Sequence, residues 1–221
     1  MYDFVQGPLI SIAFIVFILG LLFQLIQFFR LTQKKEWGRL PIAYETKPEK
    51  KTAGKIIASC LASLNGTLWK TDPALTVATS VFHILLIMTP LFLLGHNILL
   101  DQSCGWGLFS LPESLSDGLT LIVLFCGAYF LVRRLFLARV RAITTIYDYV
   151  VLLIAIAPFL TGFFAYHQWF HYETVMLLHI LSGEIMLITI PFTKLGHMLF
   201  FFLYRFFIGG EYSFFRGSRT W

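Results

Sequence analysis

Residues 177–198 read LLHILSGEIMLITIPFTKLGHM, with His179 near the start and His197 near the end of one apolar run. The two histidines are eighteen residues apart. Eighteen residues make five turns of an α-helix, so a continuous helix points both imidazoles to one face, roughly 27 Å apart. That separation approaches the ~30 Å hydrocarbon core of a bilayer. One helix then carries one ligand-type side chain near each membrane surface.

The rest of the chain fits such a setting. It has 221 residues, 57% of them apolar and only 13% charged, with a mean hydropathy of +0.76. A soluble domain needs far more polar surface, so the composition predicts an integral membrane protein. Hydropathy and length predict an all-α bundle in one domain, 1–221, with five spans at about 8–29, 74–100, 118–136, 149–166 and 174–203. Lipid-exposed backbone must satisfy its own hydrogen bonds, which favours helices throughout. The first span does not read as a cleaved signal peptide, because it lacks a basic start and runs into Arg30 with no small-x-small site.

Charge predicts the orientation. With the N-terminus outside, the inner segments are 30–73, 133–148 and the tail from about 194; they hold nine, four and four Lys or Arg, the whole inventory of 17. The outer segments carry Asp3, Asp101, Glu113, Asp117 and Glu173 and no base. The positive-inside rule then places the C-terminus, including 204–221, in the cytoplasm. The net charge of +5 is thereby an orientation signal rather than a sign of nucleic-acid binding.

Cys60, Cys104 and Cys126 are scattered, with no C-x-x-C-H for covalent haem attachment. Residues 53–69 are apolar-periodic and read either as an amphipathic helix on the inner surface or as a connector packed under the bundle. Asp72-Pro73 predicts a helix start, Asp72 as N-cap and Pro73 in the first turn. The basic, aromatic tail RFFIGGEYSFFRGSRTW reads as a docking segment or an interfacial anchor. Trp106, Phe109 and Trp169 suit an outer aromatic belt.

All six histidines lie at or after residue 83. Span 2 carries His83 and His96 and runs antiparallel to span 5. His83 is then level with His197 near the inner face, and His96 with His179 near the outer face. Two helices each giving one histidine to each of two levels suit two low-spin haems with paired axial imidazoles, and intramembrane histidines are rare and tend to be functional. One difficulty stands in span 2. Thirteen residues leave His83 and His96 about 140° out of register on an ideal helix. Pro90 lies between them, and a distortion there is predicted to restore the facing.

His179 to His197 reads H-x-L-x-G-x(7)-P-F-T-K-L-x-H. It resembles the last haem-binding helix of the gamma subunit of respiratory nitrate reductase, with the same histidine spacing and a similar ending. Phe82-His83 and Gly95-His96 are similar to that family's second helix, though the spacing here is longer around Pro90. The size and the R-G-S-R-T-W ending resemble the cytochrome b subunits of the Hmc and Tmc transmembrane redox complexes of sulfate-reducing bacteria. The resemblance implies two haem b, paired as His83 with His197 and His96 with His179, and a quinone such as menaquinone as substrate. It implies an electron-transfer subunit of a membrane quinone oxidoreductase in a bacterial or archaeal cytoplasmic membrane. It also implies a cytoplasmic, heterodisulfide-reductase-like iron–sulfur partner, a periplasmic multihaem cytochrome c and further membrane subunits.

Other residues are candidates on chemical grounds. Lys194 suits a haem propionate or plain snorkelling to the interface. Gly95 and Gly183 leave room for a flat macrocycle or for helix packing. Glu184 is the one acid deep in a span, a proton relay or a hydrogen-bonded structural group. His167 and His171 form H-x-x-x-H, which binds zinc only if the segment is helical and a third ligand exists; near a quinol they could take protons. Two further readings stay open: a haem-free anchor or metal transporter, and a haem conduit with no quinone site of its own.

Overall fold

A computed structural model describes residues 4–33, 72–198, 200, 201 and 203. The 53–69 segment, Cys60 and the tail 204–221 lie outside the described residues. The described chain is helical, with no strand. Five helices are long and apolar enough to cross a membrane: Gly7–Arg30, Pro73–Phe92, Glu113–Phe136, Ile146–Tyr166 and Tyr172–Phe192. Large apolar side chains such as Phe23, Phe125 and Leu153 stand exposed along them, as lipid-facing residues do. This is a multi-pass, all-α membrane protein.

A π-helical turn, Val5–Leu9, leads into α1 (Ile10–Gln33). Then come α2 (Pro73–Phe92), α3 (Leu94–Cys104), α4 (Glu113–Phe136), a short α5 (Ala138–Arg141), α6 (Ile146–Tyr166) and α7 (Tyr172–Thr189). Two 3-10 turns, Ile190–Phe192 and Lys194–Gly196, follow. In packing order, α2 lies on α4, α4 on α6, α6 on α7 and α7 on α1. The core joins Phe82 and Leu86 of α2, Val123 of α4, and Ala155 and Phe159 of α6.

Asp72 caps α2 as expected: its Oδ1 accepts from the Leu75 N–H at 3.1 Å, with Pro73 in the first turn. Arg133 Nη1 closes on Asp72 at 2.8 Å, joining the start of α2 to the basic C-terminal end of α4. The Leu75 N–H, and then Arg133, hold the Asp72 carboxyl below the ordinary carboxylate range, against the opposing effect of burial. At the same end Thr145 and Asp148 form a capping box at the start of α6.

Spans 2 and 5 are not the single helices expected over 74–100 and 174–203. Span 2 breaks at Leu93, whose backbone is extended (φ −70°, ψ 130°). The break falls three residues after Pro90, and two side chains and one backbone N–H beyond it take up the carbonyls it frees. His96 Nδ1 donates to Pro90 O at 2.9 Å, Asn97 Nδ2 to Leu91 O at 3.1 Å, and the Leu111 N–H to Phe92 O at 2.9 Å. Span 5 leaves the α-helix at Thr189, tightens around Pro191 and turns extended at Thr193 (φ −124°, ψ 178°). Pro191 has no N–H to continue the ladder. Thr193 restarts the chain by accepting from the Leu195 N–H at 3.2 Å. From α1, Gln24 Nε2 donates to the freed Pro191 O at 2.9 Å, and Gly20 admits the proline ring. The inference of one face from five continuous turns is therefore wrong in its premise, because the chain between His179 and His197 changes helix type twice.

Gly127 on α4 sets the approach of α6. A Cβ there would lie 2.9 Å from Ile156 Cγ1 and nearer still to Cδ1. Gly127→Ala is expected to cost about 1–3 kcal/mol, as overpacking does. Thermal unfolding measures it, and adding Ile156→Ala restores most of the loss if the clash is the cause.

Candidate functional site

α2 and α7 make at most marginal backbone contact with each other, yet the histidines of spans 2 and 5 meet across the space between them. The His96 and His179 ring centroids are 6.0 Å apart, with the planes 15° from parallel. Those of His83 and His197 are 5.6 Å apart, at 80°. The four histidines thus come together in the two pairs read from antiparallel depth, and the Leu93 break removes the register difficulty in span 2. His83, His96 and His179 are half-buried, and His197 is exposed.

Each ring is fixed through the same nitrogen. His83 Nδ1 lies 2.7 Å from Thr79 O, His96 Nδ1 2.9 Å from Pro90 O, and His179 Nδ1 2.9 Å from Pro158 O. His197 Nδ1 bonds to Lys194 O. A carbonyl oxygen only accepts, so every Nδ1 is the donor and every Nε2 keeps its lone pair in the neutral ring. Metal-bound imidazoles are held in just this way, the second N–H given to a carbonyl or carboxylate. Nothing else among the described residues is bonded to these four Nε2 atoms.

Could the space hold a haem? Two imidazoles on opposite sides of one metal ion, each at a bond of about 2 Å, bring their ring centroids to roughly 6 Å. Both pairs are near that spacing. Gly95 and Gly183 flank the His96/His179 pair, and a Cβ at either would meet nothing within 4 Å; the protein leaves the room beside them open. The residues present fit the group.

Several supporting residues were not legible in sequence. Pro158 presents its carbonyl to His179 from α6, a span with no histidine among its membrane residues. Thr161 Oγ1 lies 3.4 Å from His179 Nδ1 and 3.2 Å from Ser182 Oγ. Gly162 lets the His179 ring lie against α6, since a Cβ there would be 3.0 Å from Cε1 and 3.2 Å from Nδ1. Asn97, buried, ties the Leu93 break to the following loop by accepting from the Leu108 N–H at 3.0 Å. The signal for Asn97 was a polar residue next to a candidate ligand; for Pro158 there was none.

The remaining candidates separate. Lys194 Nζ pairs with Asp148 at 2.8 Å and lies 5.2 Å from the Tyr147 ring centroid, so an anion would compete with Asp148 for it. Glu184 is buried, 4% exposed, and neither carboxyl oxygen has a hydrogen-bond partner among the described residues. His167 Nε2 pairs with Asp117 at 3.1 Å inside a cage of Phe163, Tyr166 and Trp169. His171 Nδ1 is 3.2 Å from Thr174 Oγ1. The helical condition for an H-x-x-x-H zinc pair is not met: α6 ends at Tyr166, α7 starts at Tyr172, and Gln168 and Phe170 between them have φ of 52° and 64°. Among the described residues no group of three or more His, Cys, Asp or Glu could hold a metal ion.

Fold and site together define a multi-pass helical membrane protein with two facing histidine pairs. The chain belongs to one family with a protein of Nitratidesulfovibrio vulgaris (strain Hildenborough). The two are 36% identical over 222 residues, spanning 100% of this chain and 97% of the relative. The relative's name, "Protein", assigns no activity. No family model matches the chain, and no solved structure matches it.

Proposed function

We propose that this protein is a di-haem b electron carrier of a respiratory membrane complex, with one haem held by His96 and His179 and the other by His83 and His197. The observation that carries the reading is the meeting of four histidines as two pairs, each Nδ1 given to a backbone carbonyl and each Nε2 unbonded among the described residues. When bound, the two irons supply one-electron transfer between the two ends of the bundle. The chain's own groups do the positioning. The carbonyls of Thr79, Pro90, Pro158 and Lys194 fix the tautomer and direction of each imidazole and raise its basicity. The Leu93 break turns His96 toward His179, and the Pro191–Thr193 break brings His197 toward His83. The apolar core of Phe82, Leu86, Val123, Ala155 and Phe159 keeps the adjoining interior dry.

The charge pattern supports an outward N-terminus, with the His96/His179 pair toward the outer surface and the His83/His197 pair toward the cytoplasm. In that orientation the protein exchanges electrons between menaquinone or another quinone and partner subunits. The partners proposed are a heterodisulfide-reductase-like iron–sulfur protein on the cytoplasmic side and a periplasmic multihaem cytochrome c on the other, in the cytoplasmic membrane of a bacterium or archaeon. His167, beside Asp117 at the acidic end, is the proposed proton acceptor for a quinol there.

The test is a reduced-minus-oxidised spectrum of the purified full chain with a pyridine haemochrome count. Two b haems per chain are expected. A folded chain without haem sinks the reading and leaves an anchor or a transporter.

A further inference from the structure

Glu184 has no part in the reading above, and its surroundings are unusual for an acid. It sits on α7 five residues beyond His179, about 7.5 Å along the axis, and only 4% of it is exposed. Neither carboxyl oxygen has a partner among the described residues. Among the described residues, the elements packed against α7 bring no counter-charge to that depth. α1 has no charged residue between Ile10 and Phe29, with Arg30 at its end; α6 has none after Asp148, which Lys194 already holds. The turns flanking α1 and α7, Val5–Leu9 and Ile190–Phe192, have none. On α7 itself the titratable groups are Glu173 and Tyr172 at the far end and His179; the tyrosines of α6 lie at its ends. The Thr89 hydroxyl is also buried, with no partner among the described residues.

A carboxylate in such a place is costly unless a positive charge stands near; a ferric haem with two neutral imidazoles would carry one net positive charge and lose it on reduction, so reduction raises the cost of the ionised form. Two charges about 10 Å apart at an effective dielectric of about 20 change each other's proton affinity by tenfold or more. Resting on the haem reading, we propose that Glu184 is a redox-linked proton site. Its carboxylate takes up one proton from the aqueous phase when one electron reaches the iron held by His96 and His179, and releases it when the electron leaves. The balance is one electron, from a quinol in the membrane or from dithionite in the test, reducing ferric to ferrous iron, and one proton converting carboxylate to carboxylic acid.

The experiment is an optical redox titration of the haem-loaded full chain across the neutral pH range, comparing the unsubstituted protein with Glu184→Gln. In the unsubstituted protein the potential of the haem that His179→Ala removes is expected to fall by up to about 59 mV per pH unit, a tenfold change in proton activity set against one electron. In Glu184→Gln that slope is lost while haem content stays the same. A flat profile in the unsubstituted chain, or equal slopes in both, overturns the proposal and leaves the haem reading standing. A chain without haem overturns both. If Glu184→Gln fails to fold, a reduced-minus-oxidised infrared difference spectrum of the unsubstituted protein decides: a protonated-carboxyl band gained on reduction supports the proposal, and its absence overturns it.

Discussion

His179→Ala is expected to leave one haem b per chain, and His96→Ala to remove the same one; His83→Ala and His197→Ala are expected to remove the other. The ring centroids of each pair are 6.0 Å and 5.6 Å apart, and no third His, Cys, Asp or Glu among the described residues joins either pair. Removing one imidazole therefore leaves a site with a single donor. Losing even a group that only orients a metal ligand costs about 10–100-fold in affinity, so losing the ligand itself exceeds that range. A pyridine haemochrome count reads the stoichiometry, and difference spectra say which haem remains. Imidazole added to His179→Ala re-enters the vacated space and restores part of the signal. Four variants that each lost both haems would indicate a general folding defect. Losses grouped as 83 with 96, and 179 with 197, would falsify the antiparallel pairing.

Much of this arrangement was legible in the sequence because it follows from long-range regularities. Apolar runs bounded by charges give five spans, and the depth of a histidine in a span is a count from its ends. The Asp72-Pro73 cap was legible because it is local. What the sequence concealed was the shape of spans 2 and 5. Hydropathy does not register a break at Leu93, where the residue is as apolar as its neighbours and the freed carbonyls are satisfied from His96, Asn97 and Leu111. Pro90 hinted at a distortion but not at its place three residues later. Likewise a continuous helix from His179 to His197 satisfied the spacing rule, while Pro191 and the Thr193 hydroxyl set a different path to the same pairing. The carbonyl partner of His179 was beyond reach, since Pro158 is on another span and its role depends on how α6 packs against α7. For His167 and His171 the zinc reading was conditional on a helix: i, i+4 means one face only inside a helix, and the left-handed Gln168 and Phe170 show that the condition is not met.

Gly162 gives a test of the site that touches no ligand. A Cβ at this position would be 3.0 Å from Cε1 and 3.2 Å from Nδ1 of His179, closer than a Cβ comfortably stands to another side chain. The imidazole has little freedom to retreat, because Nδ1 is held at 2.9 Å by Pro158 O on the same helix as Gly162. Gly162→Ala therefore pushes the ring off its carbonyl or tilts its Nε2 away from His96. Gly162→Val, with two further methyl groups, does so more severely. The expected result for Gly162→Val is a loss of the His96/His179 haem of tenfold or more in affinity, about that of losing an orienting partner, with Gly162→Ala intermediate. The His83/His197 haem is expected to persist, since those histidines lie on α2 and beyond Pro191, and their carbonyl partners are Thr79 and Lys194. Alanine is also the better helix former by roughly 1 kcal/mol, so Gly162→Ala should not melt α6 on its own account. Selective loss of one haem, with thermal unfolding little changed, would attribute the effect to the His179 ring. Equal loss of both haems would mean that Gly162 matters for the packing of α6 on α7 and not for the ligand.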